Sequence, residues 1–359
     1  MNSALPTLDI HYDFSPRLVL DDPDIGHKVR RMRACGVSTI WLDCYLYGHW
    51  EATREEILQL KHYFEGNGFR VEVLSIPLGH ADQTARITDI GEGWTPRVDA
   101  SGHPIPNTSC ARNPKLLADS RAAAETCLDM GFTKIFYDDD LRLGAWGPSV
   151  QGCFCDTCMN GFRTAYPAYR DISRPELATR IGAGDRSLTD AWETFQCESI
   201  LQFLKYTTPA GLTPGIMVMH NGDRRHGVDI ARIRREIPDI NVRVGEGHFA
   251  DPNFLDPQAH DSIAASIRRH LSLIGSVEHA FSEATTAPVG ALSPQNLVEK
   301  IRIEIDNGIR NIYLMSGSQF LTDDYWDALA SALPELKKRA ADTPLPNPDA
   351  PLPEFIWQI

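Results

Sequence analysis

Residues 116–140 read LLADSRAAAETCLDMGFTKIFYDDD. The apolar residues of Leu116–Met130 recur at helical spacing. Gly131 closes that helix, and Lys134–Asp140 is an apolar strand-like run ending in three carboxylates. The same unit recurs outward in both directions. Strands are expected at Leu8–Phe14, Thr39–Tyr47, Arg70–Leu78, Lys134–Asp140, Gly215–His220, Asn241–His248, Val277–Glu283 and Asn311–Ser316. Helical patterns lie between them at Ile25–Cys35, Arg54–Phe64, Leu116–Met130, Ile230–Ile237, Ile263–Ile274, Pro294–Asp306 and Asp324–Lys338. Gly36, Gly68, Gly131, Gly275 and Gly308 stand where helix C-caps belong. Eight such units read as an α/β protein of the (β/α)8 TIM-barrel class. A doubly wound open sheet would place a Gly-rich phosphate turn after its first strand, and none stands there.

The composition is that of an ordinary globular protein with enough apolar residues for a large core: 359 residues, 42% hydrophobic and 23% charged. A formal charge of −13 argues against a nucleic-acid partner. No apolar run is long enough to span a membrane, and the N-terminus lacks the pattern of a secretory signal. Four of the eight cysteines stand singly in apolar patterns, as buried free thiols do, so a reducing, cytoplasmic compartment is expected.

Two connections are long. One, 79–115, follows the third strand; the other, 141–212, follows the fourth and carries a further helix at Leu188–Tyr206. The second holds Cys153-Phe-Cys155-Asp-Thr-Cys158. A C-x-C-x-x-C cluster supplies three thiolates to a tetrahedral zinc, and Cys110 is the natural fourth. The expected organisation is a catalytic barrel over 1–342 with a zinc-bearing insertion at 141–212. A Pro-rich tail, 343–359, ends in an apolar segment. That end packs on its own barrel or on a second copy, so a homo-oligomer stays open.

Reactive side chains gather at the C-terminal ends of the expected strands, where barrel enzymes build their sites. They are His11 and Asp13; Asp43, Tyr45 and Tyr47; His80; Asp138, Asp139, Asp140 and Arg142; His220 and Asn221; Glu246 and His248; His279 and Glu283. Each alone has a structural explanation, a helix cap or a satisfied core histidine. Three adjacent carboxylates are costly to desolvate and are harder to explain by packing. Glu283 ends a strand with no helix starting after it. Two carboxylates flanking a sugar ring are what glycoside hydrolysis requires. Strands four and seven lie nearly opposite in a barrel, so Asp140 and Glu283 are the expected pair, with Trp50, Trp94 and Trp146 available to stack on sugars.

On these residues the chain resembles the clan A glycoside hydrolases, and most closely the catalytic barrel of the family 42 β-galactosidases. That family has a D-N-E motif on strand four, then a C-x-C-x-x-C zinc cluster with a fourth cysteine upstream in a C-P-N-S-P-like segment. Asp138-Asp139-Asp140, the three clustered cysteines and Cys110-Ala-Arg-Asn113-Pro114 match these stretches. Phe162, Ala191-Trp192, and Glu283 with Ser293-Pro294-Gln295-Asn296 and Asn307-Gly308 are also similar. The resemblance implies Glu283 as nucleophile and Asp140, one methylene shorter than the family's Glu, as general acid/base. It implies structural Zn2+ on Cys110, Cys153, Cys155 and Cys158. His11, Asp13, Asp43, His80, Asp138, Asp139, His220, Asn221, Glu246 and His248 are the expected contacts to a small carbohydrate. Asp139 replaces the family's Asn, and the chain has no length for the domains that follow the barrel in that family.

The leading expectation is therefore a zinc-stapled glycoside hydrolase, retaining and exo-acting. The alternative is a sugar isomerase or metallo-hydrolase with a catalytic divalent metal on His220, Glu246, His248 and Glu283. A non-catalytic sugar-binding barrel would not need paired carboxylates.

Overall fold

The structure, a computed structural model, describes residues 7–79, 90–138, 141–143, 151–218, 224–317 and 319–346. Its main sheet contains eight principal strands: β1 (Asp9–Phe14), β2 (Val37–Leu46), β3 (Arg70–Ile76), β4 (Lys134–Tyr137), β5 (Thr213–Met217), β6 (Asn241–Arg243), β7 (Ala280–Phe281) and β8 (Asn311–Met315). Neighbours in the sheet are neighbours in sequence, and β1 pairs with both β8 and β2, so the order closes on itself. This is a (β/α)8 barrel. Two short pieces complete the ten-stranded sheet: His49–Trp50 beside β2, and Ala284–Thr285, parallel to the end of β8.

The helices form where their sequences provide caps. Thr53 and Glu56 make a reciprocal capping box ahead of Arg54–Gly66. Asn113 caps Pro114–Asp129, with Pro114 at the first helical position. The five expected C-cap glycines all have positive φ. At Gly308 space adds to the requirement: a Cβ there would lie 2.4 Å from Cγ of Pro346.

Three strands are shorter than the sequence suggests. β6 stops before Gly245, and Gly247 and His248 follow with φ of 66° and 63°. Two successive left-handed residues turn the backbone out of the ladder. β7 breaks at Ser282 and Glu283, where the amide of Thr285 donates to the carbonyl of Glu283 at 2.8 Å. Expected strand four ends at Tyr137, before the acidic triplet. The connection after β3 also holds an antiparallel hairpin, Pro96–Val98 with Pro104–Ser109, that the sequence reading left unstructured. Its prolines hide the alternation that normally marks a strand.

The described residues fall into two compact units. One lies within Met1–Cys44, Trp50–Leu74 and Asp239–Gln358, the other within Tyr45–His49 and Ser75–Pro238. In the first, His11, Trp41, Phe281 and Tyr313 form an aromatic layer, and Tyr12, Phe14, Phe320 and Trp326 form another. Rings in tilted and edge-on contact add to the stabilisation from burying their area. In the second, the 141–212 connection folds into helices Asp156–Ala165, Arg174–Gly182 and Arg186–Thr207, which pack around the clustered cysteines. Residues 347–359, most of the Pro-rich tail, lie outside the described set. Among the described residues no helix is long and apolar enough to cross a membrane.

Candidate functional site

Glu283 occupies the break in β7. Its Oε2 accepts hydrogen bonds from the amides of Glu246 at 2.9 Å and Gly247 at 3.2 Å. In return the amide of Glu283 donates to Oε1 of Glu246 at 3.3 Å. Two amide donors to one carboxylate oxygen fix the side chain's direction by charge-assisted bonds. The left-handed turn at Gly247 and His248 follows directly on those two amides.

Beneath this pair lies a buried ammonium. Lys300, in helix Pro294–Asp306, donates to the carbonyl of Gly247 at 2.6 Å and to the carbonyl of Glu283 at 2.8 Å. Its Nζ is 3.9 Å from Oε2 of Glu246, and neither side chain has any exposure. Glu304, one turn further along the helix, is buried in the same place. Burial pushes the Glu246 carboxyl well above its ordinary range, and the Glu304 charge adds to the rise. Burial raises Glu304 as well, against the opposing pull of Glu246, Lys300 and Ser282. Two buried carboxyls are thus raised beside one ammonium. Lys300 also lies 5.0 Å from the ring centre of Phe249, and the Ser266 hydroxyl donates to the Gly245 carbonyl at 2.7 Å. The whole 245–249 turn is pinned.

His248 keeps its Nδ1 3.0 Å from the Glu246 carbonyl, and burial lowers its imidazole below the ordinary value. Asp13 lies 3.9 Å from Nη1 of Arg243, and both are buried. The Arg243 guanidinium sits 4.8 Å from the ring centre of Tyr313. His11 belongs to the aromatic layer: Trp41 Nε1 donates to its Nδ1 at 3.3 Å, and Tyr313 stacks on it. Asp43 is half-buried on the same face of β2 as Trp41. The structure therefore brings Glu246, His248 and Glu283 together directly, and groups Asp13 with Arg243.

In the second unit Asp138 is buried just past β4, its amide donating to the Ser75 carbonyl at 2.8 Å. Trp94 is buried with its Nε1 on Asp119 at 2.8 Å. His80, Asp139, Asp140, Trp146, His220 and Asn221 lie outside the described residues.

Lys300, Glu304 and Arg243 are additions to the sequence reading. A signal for the first two exists. Leu297, Lys300, Ile301 and Glu304 follow i, i+3, i+4, i+7, so two charges stand in the apolar stripe of a helix.

The thiols of Cys110, Cys153, Cys155 and Cys158 are all buried, and their sulfurs lie within 4.8 Å of one another. Sγ of Cys110 is 3.5 Å from Sγ of both Cys155 and Cys158. Zinc–sulfur bonds of about 2.3 Å make a tetrahedron with S···S edges of about 3.8 Å, so this donor set fits the ion. Among the described residues it is the one group of three or more His, Cys, Asp or Glu side chains close enough to share a metal. Hydrogen bonds from Cys110 first, then Cys153 and Cys158, push the Cys155 thiol far below its ordinary value. Elsewhere burial pushes Cys35 up to about 11, and Cys127 and Cys197 to about 12, which makes them inert packing thiols. No disulfide joins any of the eight cysteines.

The local fold serves the thiols. The Cys153 amide donates to Oε1 of Gln196 at 3.3 Å, and Trp192 Nε1 donates to the Gln151 carbonyl at 2.7 Å. A Cβ on Gly152 would lie 2.9 Å from Trp192 Nε1, so a glycine is needed there. Phe154, Phe162, Trp192 and Phe195 close around the sulfurs.

No protein-family model matches the chain, and no curated protein matches it in sequence. Solved structures do match. The catalytic domain of β-amylase from Paenibacillus polymyxa aligns over 92% of this chain and 100% of that domain, with a TM-score of 0.60 and 12% identity. Gan42B, a GH42 β-galactosidase from G. stearothermophilus, aligns over 94% of this chain, with a TM-score of 0.61 and 14% identity. A catalytic mutant of the same enzyme gives 0.59 and 15%. The chain spans 57% of the length of the Gan42B chains. These neighbours, a β-amylase catalytic domain and a GH42 β-galactosidase, are glycoside hydrolases, and the likeness is one of fold.

Proposed function

We propose that the chain is a glycoside hydrolase, retaining and exo-acting on a small glycoside or oligosaccharide, with Glu283 as nucleophile and Asp140 as general acid/base. The observation that carries this reading is the oriented carboxylate of Glu283 at the break in β7, aimed by two amides. In the first step the Glu283 carboxylate attacks the anomeric carbon while Asp140 gives its proton to the leaving oxygen. In the second, Asp140 takes a proton from water, which displaces Glu283 from the sugar. Asp13, Asp43, His80, Asp138, Asp139, His220, Asn221 and His248 are the residues proposed to hold sugar hydroxyls; of the expected contacts, His11 is instead set in the aromatic layer and Glu246 is fully buried beside Lys300.

Cys110, Cys153, Cys155 and Cys158 are proposed to hold a structural Zn2+, as the fit of their sulfurs supports. When bound, the ion supplies a cross-link between the 110 segment and the 153–158 turn. Four thiolates leave no coordination position for substrate. Free, buried thiols suit a reducing, cytoplasmic setting. The divalent-metal alternative is disfavoured by Lys300. An ammonium 3.9 Å from Glu246 already supplies the positive charge that a catalytic cation would bring there.

The test is chemical rescue. Glu283→Ala should lose turnover of aryl glycosides that the wild type hydrolyses. Azide should restore it and give the glycosyl azide of inverted configuration. Wild-type turnover by Glu283→Ala contradicts the reading.

A further inference from the structure

Lys300 is a costly residue to keep where it stands. It is fully buried, and an apolar side chain of similar size would pack there without desolvating a charge. What it adds is a closed circuit of bonds. Oε2 of Glu283 is held by the amide of Gly247, and Lys300 holds the carbonyl of that same Gly247 together with the carbonyl of Glu283 itself. The head and the backbone of one glutamate are thereby tied through a single side chain from a third element. Three ammonium protons face two carbonyls and the Glu246 carboxyl. Glu246 completes the circuit, since its amide also donates to Glu283 and its Oε1 accepts from the Glu283 amide.

We propose that Lys300, charge-balanced by Glu246 and Glu304, is a positioning residue that sets the carboxylate of Glu283 for attack on the substrate. This rests on the glycosidase reading above. The lysine touches no reacting atom and acts through the two backbone segments that aim Glu283. Its loss would let the 245–249 turn and the break in β7 drift apart, and displacement of a reacting group by about 1 Å costs about a hundredfold in rate.

The experiment compares the full-length wild type with Lys300→Met and with Lys300→Met/Glu304→Gln, in which the stranded buried charge is also removed. The double variant carries the test if Lys300→Met does not fold. With aryl glycosides, kcat of the folded variants should fall about a hundredfold while KM stays within about threefold. The same substitutions are then placed in Glu283→Ala and assayed with azide. The rescued rate should not change, because the carboxylate that Lys300 positions is gone. Wild-type kcat in the double variant would reduce Lys300 to charge balance and overturn the proposal. So would an equal hundredfold fall in the azide-rescued rate, which marks general disruption. Full activity of Glu283→Ala alone would instead overturn the glycosidase reading, and this proposal with it.

Discussion

The two units each bury a polar constellation, and they build it in opposite ways. In the second unit four thiols converge within 4.8 Å and fit one ion. In the first, the carboxyls of Glu246, Glu283 and Glu304 and the Lys300 ammonium gather from a strand break, a turn and a helix. The thiol group is packed in aromatic rings. The carboxyl group ends in a Glu283 held by backbone amides. One is built to staple, the other to aim. Substitutions in the first should therefore move rate before stability, and substitutions in the second stability before rate.

The largest expected effect is at Glu283. Glu283→Gln should lower kcat by about ten-thousandfold or more on any glycoside the enzyme cleaves, with thermal unfolding little changed. Steady-state kinetics beside a melting curve checks both halves. A large fall in melting temperature with residual turnover would erase the contrast between the units.

Next comes the staple. Cys153→Ser, or removal of zinc by a strong chelator, should destabilise the 151–212 segment by more than about 4 kcal/mol, the class of effect expected for loss of a metal site. Limited proteolysis followed by mass spectrometry should show new cleavage within that segment. Metal analysis should give one zinc per chain before treatment. Unchanged protease resistance in metal-free protein would mean that the aromatic packing suffices alone.

The thiol site was legible because its spacing is local. Cys153, Cys155 and Cys158 fall within one turn of chain, and only Cys110 comes from elsewhere. The barrel was legible for a similar reason: each helix, C-cap glycine and strand is a local signal repeated along the chain. The carboxyl cluster is different. Glu246 and Glu283 were each conspicuous at strand ends, but their mutual hydrogen bonds depend on the pairing of β6 with β7, a non-local contact that no local pattern records. His248 gives no sequence warning of a positive φ. Lys300 and Glu304 are charges on a helix, and only their place in the apolar stripe marks them as buried. The hairpin at 96–109 was masked because its buried residues, Arg97, Asn107, Thr108 and Ser109, are polar, so its burial leaves no apolar alternation in the sequence.

The aromatic wall around the thiols allows a finer comparison. Phe162→Ala should cost about 3–5 kcal/mol in the second unit, because the ring is fully buried against Trp192 and Phe195. Activity per folded molecule should stay near wild type. A specific loss of kcat in folded protein would link the staple to the chemistry.

The smallest expected effect is a slope. Burial raises Glu246 above its unfolded value near 4.5, and Lys300, Glu304, Glu283 and His248 are the charged and titratable groups around it. The folded state then binds more protons than the unfolded state. The stability this contributes is complete below about pH 4.5 and is lost as pH rises toward the folded value. The loss is at most about 1.4 kcal/mol per pH unit for one proton. Glu246→Gln should flatten that decline in denaturant unfolding followed from pH 5 to 9. A steeper decline in the variant would reverse the assigned protonation.

The most direct test of Glu283 as nucleophile is to trap it. An aryl glycoside with fluorine in place of the 2-hydroxyl slows both steps, while a good leaving group keeps the first one fast, so the glycosyl-enzyme accumulates. Peptide mass spectrometry of the inactivated protein should place one sugar on Glu283, and Glu283→Gln should remain unlabelled. Stoichiometric labelling of any other residue, or turnover whose first-formed sugar has the anomeric configuration opposite to the substrate's, would contradict that assignment.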